Sequence, residues 1–259
     1  MAVFHDQLNR EVYLPAVPKR IISVVPSQTE LLLYLGLDAE LVGITKFCIH
    51  PKQKVKTITK VGGTKQLNIP LIKSLRPDLI IANKEENERS QIEELMDICP
   101  VWISDIYDLD GALKTIRGVG LIVNRQGEAE ILCSEISLGF KSLLLPRLNL
   151  RVAYLIWRKP YMVAAKQTYI DSLLQKSGLI NAFETGRYPE VSADELVKVN
   201  PDVVFLSSEP YPFAQKHIEE FKQLLPKAKI ILVDGELFSW YGSRLLQVRE
   251  YLKSLMQIV

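Results

Sequence analysis

The chain repeats itself once, at long range. Ile72-Lys73-Ser74-Leu75-Arg76-Pro77-Asp78-Leu79-Ile80-Ile81-Ala82 recurs as Leu196-Val197-Lys198-Val199-Asn200-Pro201-Asp202-Val203-Val204-Phe205-Leu206. The shift is 124 positions (Pro77 to Pro201, Asp78 to Asp202), and it also carries Gly62 onto Gly186 and Asn68 onto Ser192. Each copy reads as a short helix, a Pro-Asp turn and a buried strand. A period this long implies two similar lobes, not the stacked short units of a solenoid. The 259 residues suit two lobes of roughly 100–130 residues, each with its own core. Two such lobes would enclose a cleft, where function is expected.

The flanking segments fit the same plan. Arg20-Ile21-Ile22-Ser23-Val24-Val25 is an apolar run suited to a strand buried on both faces. Pro26 stops it, Ser27 and Glu30 have the spacing of a capping box, and Gly36 ends the helix that follows. Leu41–Ile44 and Val101–Ile103 read as further strands, with a helix from about Asn87 to Ile98. The second half opens with the strand Arg151–Ile156 and a helix from about Thr168 to Lys176 that ends at Gly178. Ser192 and Glu195 form another capping box, Pro212 stands near the start of a helix running through Leu225, and Ile230–Val233 is the last clear strand. A helix from about Arg244 to Met256 closes the chain. Alternating strands and helices predict an α/β protein with parallel sheets covered on both faces.

Between the halves lies a segment outside the repeat. Asp108–Val123 reads as one helix, and a second runs from Gly127 to about Leu145, where Pro146 stops it. Ala129, Leu132, Cys133, Ile136, Phe140, Leu143 and Leu144 line one side at helical spacing, while Ile131, Leu138 and Leu145 line another. A helix apolar on two sides has two things to bury against. The expected organisation is an amino-terminal lobe over 1–123, a linker and single spanning helix over 124–149, and a carboxyl-terminal lobe over 150–259. An ordinary first-lobe helix plus a linker is the alternative.

Composition narrows the function. Apolar residues make up 47% and charged residues 24%, and the formal net charge is only +2 with no run of five or six basic residues. That balance argues against nucleic acid or anionic membranes as main partners. No apolar run reaches a membrane span, so no membrane insertion is expected. Cys48, Cys99 and Cys133 are widely spaced and odd in number, which opposes a disulfide framework. There is no GxSxG elbow, phosphate loop or GxGxxG after the first strand, so no catalytic residue and no enzyme activity are read. Val61-Gly62-Gly63-Thr64-Lys65 reads as a tight turn. Metal binding is poorly provided for, with His5, His50 and His217 the only histidines; Cys48 and His50 alone do not close a site. The start of the chain shows no signal peptide. A cytoplasmic location follows from the chain as given, and a periplasmic or cell-surface one if a signal has been removed.

Pro18-Lys19-Arg20-Ile21-Ile22-Ser23, Pro26-Ser27-Gln28-Thr29-Glu30-Leu31-Leu32-Leu33-Tyr34-Leu35-Gly36, Val61-Gly62-Gly63 and Leu75-Arg76-Pro77-Asp78-Leu79-Ile80 together resemble the helical-backbone periplasmic substrate-binding proteins of ABC importers. Within them the resemblance is nearest to the vitamin B12 and iron-siderophore receptors, the B12 branch above all. It implies two Rossmann-like lobes, a rigid connecting helix, a ligand held in the cleft without catalysis, a monomer, and docking on an ABC permease through one acidic residue per lobe. At Asn87-Glu88-Arg89-Ser90, Arg89 stands where the first-lobe acid belongs, with Glu88 one residue off.

Ligands of doubly wound sheets sit at the carboxyl ends of the strands. The loops there nominate Ser27, Gln28, Phe47, His50, Lys84 and Glu85 from the first half. From the second come Trp157, Arg158, Tyr161, Glu209, Tyr211, Trp240, Tyr241 and Arg244. Aromatics flanked by guanidinium groups suit a large flat ligand with polar arms, a corrinoid or haem, bound as ligand and not as a required cofactor. Each has a plainer reading. Trp157 continues a strand and would serve in a core; Arg158 and Arg244 would serve as ion pairs; Ser27 as a helix cap; Lys84 and Glu85 as a solvated turn. His50 is either a loop residue fixed by Pro51 or an axial ligand. Trp240, between Ser239 and Tyr241, is expected to be partly exposed. A cytosolic enzyme or chaperone acting on a corrinoid or tetrapyrrole remains open beside the receptor reading, as does a protein-interaction module.

Overall fold

Strands buried on both faces need parallel neighbours and crossover helices to cover them, and both halves of the chain provide them. The computed structural model describes residues 2–259, which form two compact units. The first comprises the chain through Ile106 with Asp110–Ser137 and Tyr241–Arg244; the second comprises Tyr107–Leu109, Leu138–Trp240 and Leu245–Val259.

The first unit opens with a hairpin of β1 (Ala2–His5) and β2 (Glu11–Leu14), turned around the buried Asp6. The Asp6 carboxylate accepts from the Leu8 and Arg10 backbone N–H groups, both at 2.9 Å, and from the Arg10 guanidinium at 2.6 Å. Next come β3 (Ile21–Ser23), α1 (Pro26–Tyr34), β4 (Leu41–Ile44), α2 (Lys52–Val55), β5 (Thr59–Lys60), the small hairpin β6 (Gly62–Gly63) and β7 (Gln66–Leu67), and α3 (Ile69–Ser74). The unit's strands close with β8 (Leu79–Asn83), α4 (Arg89–Met96) and β9 (Val101–Ser104). Its parallel sheet runs β5-β4-β3-β8-β9. Ile22, Val24, Ile80, Ala82, Leu95 and Ile103 belong to the core on one side of it. Gly62, at φ 110°, allows Lys46 N–H to reach its carbonyl at 2.8 Å while the chain doubles back.

Two helices follow, α5 (Leu109–Ile122) and α6 (Gln126–Lys141). The second unit then contains β10 (Arg151–Trp157), β11 (Tyr161–Val163), α7 (Tyr169–Lys176), β12 (Ile180–Asn181), β13 (Glu190–Val191), α8 (Ala193–Val199), β14 (Val203–Ser207), α9 (Gln215–Leu224), β15 (Lys229–Val233), α10 (Gly235–Ser239) and α11 (Leu245–Ile258). Its sheet runs β13-β11-β10-β14-β15, with β12 also on β10. It is mixed, not purely parallel as the sequence suggested. Residues 158–160 are too few for a crossover, so β11 folds back antiparallel on β10.

The sequence repeat is a structural device used twice. Asn68 and Ser192, 124 positions apart, are the N-caps of α3 and α8, accepting from Leu71 N–H and Glu195 N–H. Arg76 and Asn200 both sit at φ 47°, turning the chain into Pro77 and Pro201. Asp78 then accepts from the backbone of Lys19 and Arg20, at 2.7 and 2.9 Å, and Asp202 from that of Arg151, at 2.7 Å. The arginine at the start of β3 and of β10 reaches back in turn: Arg20, just before β3, to the Leu75 carbonyl at 2.6 Å, and Arg151, the first residue of β10, to the Val199 carbonyl at 2.8 Å. Leu75 and Val199 are themselves repeat partners. Each clasp ties the start of the first strand to the start of its parallel neighbour, fixing the register Ile21 on Leu79 and Val152 on Val203.

Two local expectations fail. The Ser27–Glu30 capping box does not form: α1 begins behind Val25 with Pro26 as its first residue and no side-chain cap, and Glu30 is drawn to Arg244. The second apolar stripe of α6 has nothing to bury against. Ala129, Leu132, Cys133 and Ile136 are buried, but Ile131 and Leu138 are 61% and 69% exposed, and the helix ends at Lys141, short of Leu145. The helix contributes its residues through Ser137 to the first unit and the remainder to the second.

Candidate functional site

At the carboxyl ends of β3, β8 and β9, buried amides lock the first unit's loops. Gln28 and Asn83 both donate to the Ser104 hydroxyl, Asn83 at 2.9 Å. Asn87 accepts from the Asn83 N–H at 2.8 Å and donates to the carbonyls of Val24 and Thr64. The Asn83 side chain in turn receives the N–H groups of Glu85 and Glu86. Gln28 therefore braces the strand ends, although its own carbonyl oxygen and the buried hydroxyls of Ser27 and Ser243 make no hydrogen bond among the described residues. Around this brace lie the exposed candidates. Phe47 is 50% exposed, with the Lys46 ammonium 5.1 Å above its ring. His50 is half-buried, and Lys84 is paired with Asp105 at 2.6 Å.

Tyr241–Arg244 belongs to this unit too. Gly242, at φ 129°, approaches α1 so closely that a Cβ there would lie 3.3 Å from that of Leu31. Tyr241 donates its hydroxyl to Glu86 at 3.1 Å, and Arg244 forks onto Glu30 with two bonds of 2.8 and 2.9 Å. The ion-pair reading of Arg244 is the one realised. Beneath the same loops Cys48 lies between Thr29 and Thr45, and burial pushes its thiol up, out of the reactive range. Arg89, the first residue of α4, is tied to Glu93 at 2.7 Å.

The second unit gathers its candidates into two groups. In one, Trp157 at the end of β10 is 39% exposed and meets the Tyr211 ring edge-on at 5.7 Å. Arg158 pairs with Glu220 at 2.7 Å, and Tyr161 donates to the same carboxylate at 2.9 Å. Burial works against the Glu220 charge, but the Arg158 guanidinium and the Tyr161 hydroxyl outweigh it and hold its carboxyl below the usual range. His217, buried beside Tyr211 and Phe213, accepts the Ala214 N–H on Nδ1 at 2.9 Å. Burial, then the charges of Arg158 and Lys216, lower its proton affinity. His217 and Glu220 were not foreseen as site residues. The sequence signal was their spacing with Phe213, Tyr211 and Phe221 along one face leading into and through α9.

In the other group Glu209 accepts from Ser239 at 2.7 Å and from the Trp240 indole N–H at 2.8 Å. Burial raises its carboxyl, and Glu236 and Asp234 add to the rise. Trp240 is only 6% exposed. The open loop expected from its polar neighbours is not formed: Trp240 and Ser239 both turn their donors onto Glu209.

Chemically these groups present aromatic faces, paired arginines and buried amides. Among the described residues no set of three or more His, Cys, Asp or Glu could hold a metal ion, and no helix is long and apolar enough to cross a membrane.

Comparison with known proteins bears on the fold. A vitamin B12-binding protein of Pectobacterium carotovorum subsp. carotovorum (strain PC1) is 24% identical over 239 residues, covering 89% of this chain and 86% of that protein. The periplasmic haem-binding protein of Vibrio cholerae superposes with a TM-score of 0.77 at 20% identity, covering 92% of this chain and 98% of that one. A siderophore-binding protein bound to two molecules of acinetobactin and ferric iron superposes with a TM-score of 0.79 at 19% identity, covering 100% and 99%. These likenesses show the fold. The periplasmic binding protein family model matches residues 21–225, from the first residue of β3 to the residue after α9, and that family is one of binding proteins, not enzymes. The chain thus belongs to the periplasmic binding protein family.

Proposed function

We propose that this chain binds a corrinoid, a haem or an iron–siderophore complex without transforming it, and hands it to an ABC-type permease at the outer face of the cytoplasmic membrane. One observation carries the ligand class: Trp157 stands partly exposed and edge-on to Tyr211, with the Arg158 guanidinium on the adjacent residue. An exposed indole buries the apolar face of a macrocycle, and a guanidinium meets its carboxylate or amide arms. The relatives named for vitamin B12, haem and a ferric siderophore support the same class. Phe47, His50, Tyr161, Tyr211 and Glu209 are the further contacts assigned to the ligand. Gln28, Arg244 and Trp240 act behind them, holding the loops that present those contacts.

The test is direct titration of the purified chain with hydroxocobalamin, haemin and a ferric hydroxamate, followed by absorbance and tryptophan emission. One of the three should quench emission with a Kd in the micromolar range or tighter. Trp157→Ala should weaken that binding by about 2 kcal/mol or more. If none of the three shifts either signal, or if Trp157→Ala binds as the parent does, the reading is wrong.

A further inference from the structure

The formal charge of +2 conceals an uneven distribution. Residues 41–77 contain seven lysines, one arginine and no Asp or Glu, which leaves 24 basic against 30 acidic residues in the rest of the chain. The internal repeat supplies the control. Its first copy, residues 62–77, holds Lys65, Lys73 and Arg76 and no acid; the second, 186–201, holds Arg187 and Lys198 against Glu190, Asp194 and Glu195. The fold needs no such excess, since the same helix-turn-strand unit is built twice and only one copy is basic.

Four of these lysines line one margin of the first unit. β5 is the terminal strand of its sheet, and α2 connects β4 to it. Lys52, Lys54, Lys56 and Lys60 stand on this margin, all exposed, and Lys46 is exposed at the carboxyl end of β4. Asp38 neutralises Lys54 at 2.8 Å, and Lys60 leans on the Val55 carbonyl at 2.8 Å. In the loop between Lys46 and Lys52, Phe47 and Ile49 are each half exposed.

We propose that the α2–β5 edge docks on an anionic lipid surface. Lysines are flexible point charges without the fixed fork that arginine offers to a particular carboxylate, so this set suits a fluid array of headgroups better than a sculpted acidic protein face. Interleaved exposed apolar side chains add shallow burial at the headgroup boundary. Each lysine near such a surface contributes about a fivefold factor in partitioning, falling off within a Debye length. The charged part of the proposal stands apart from the ligand reading, because none of the four margin lysines belongs to the assigned ligand contacts; Phe47 is shared between the two, and the lysine variants leave it in place.

The experiment is co-sedimentation of the full chain with vesicles of phosphatidylcholine alone or with about one-third phosphatidylglycerol, at roughly 0.05 M and 0.5 M salt. The parent should partition at least tenfold better onto the anionic vesicles at low salt and lose that preference at high salt. Lys52→Glu with Lys56→Glu should abolish the preference while leaving the melting temperature unchanged, and a matched Lys198→Glu, Lys227→Glu control in the second unit should keep it. Equal partitioning of the parent onto both vesicles overturns the proposal; the lysines then serve only to guard an edge strand from pairing. Retention by the Lys52, Lys56 variant, or capture by a soluble acidic protein in preference to vesicles, overturns it as well.

Discussion

The two tryptophans of the second unit should separate stability from binding. Trp240 is 6% exposed, with its N–H on Glu209, whereas Trp157 is 39% exposed and touches Tyr211 edge-on. Trp240→Ala removes a packed indole, a loss of about 3–5 kcal/mol, and deprives a buried carboxylate of one of its two donors. At roughly 2–4 °C per kcal/mol for a chain of this size, the melt should fall by on the order of 10 °C. Trp240→Phe keeps most of the apolar burial and deletes the N–H, so it should cost about 1–3 kcal/mol. Trp157→Ala should cost about 1 kcal/mol, the ordinary scale for a half-exposed site, while removing most of the ligand-induced quench. Paired thermal melts and titrations of the three variants decide the matter. A Trp240→Ala protein melting within about 2 °C of the parent, or a Trp157→Ala protein destabilised as much as Trp240→Ala, would refute the argument.

Acid should destabilise the second unit through His217. Its proton affinity is lowered in the fold, so its stabilising contribution is complete above the unfolded value of about 6.5 and is lost as pH falls below it. The protonated ring has no acceptor for the Ala214 N–H, and melts between pH 8 and pH 5 should fall more steeply for the parent than for His217→Gln, an equal slope counting against this. The clasps should rank by their bonds: Asp78→Ala loses two backbone hydrogen bonds and Asp202→Ala one, so denaturant midpoints should show about 2 and about 1 kcal/mol respectively. The reverse order would contradict the assignment.

What was legible in the sequence was whatever local chemistry decides. Asn68 and Ser192 cap because a short polar side chain before an apolar run has an orphan N–H within reach, and Gly36 and Gly178 end helices at positive φ because only glycine does so freely. The Pro-Asp turns read correctly for the same reason. Ser27 and Glu30 show the limit. Their spacing satisfies the capping rule, but Arg244, 214 residues along the chain, offers Glu30 a two-pronged ion pair that no window of sequence reveals. The α6 stripe of Ile131 and Leu138 was read as a buried seam from periodicity alone, which reports a face and not what covers it. At the site, the exposed indole of Trp157 was within reach of sequence reasoning, since it ends a strand. Glu220 was not, because its partners Arg158 and Tyr161 come from other elements, whereas His217 lies six residues beyond its partner Tyr211 and was open to a reading from spacing.

The clasps also bear on how the chain reaches its fold. Asp78 closes a loop of 58 residues on Arg20, and Asp202 one of 51 on Arg151. Closure entropy grows only with the logarithm of loop length, so these two closures differ by about 0.1 kcal/mol. Each unit thus meets nearly the same entropic handicap before its central strands can pair in parallel, and neither clasp makes its unit the slower to nucleate. A duplicated closure of matched length leaves the order of folding to the segments that differ, the parallel margin of β5 in one unit and the fold-back of β11 in the other.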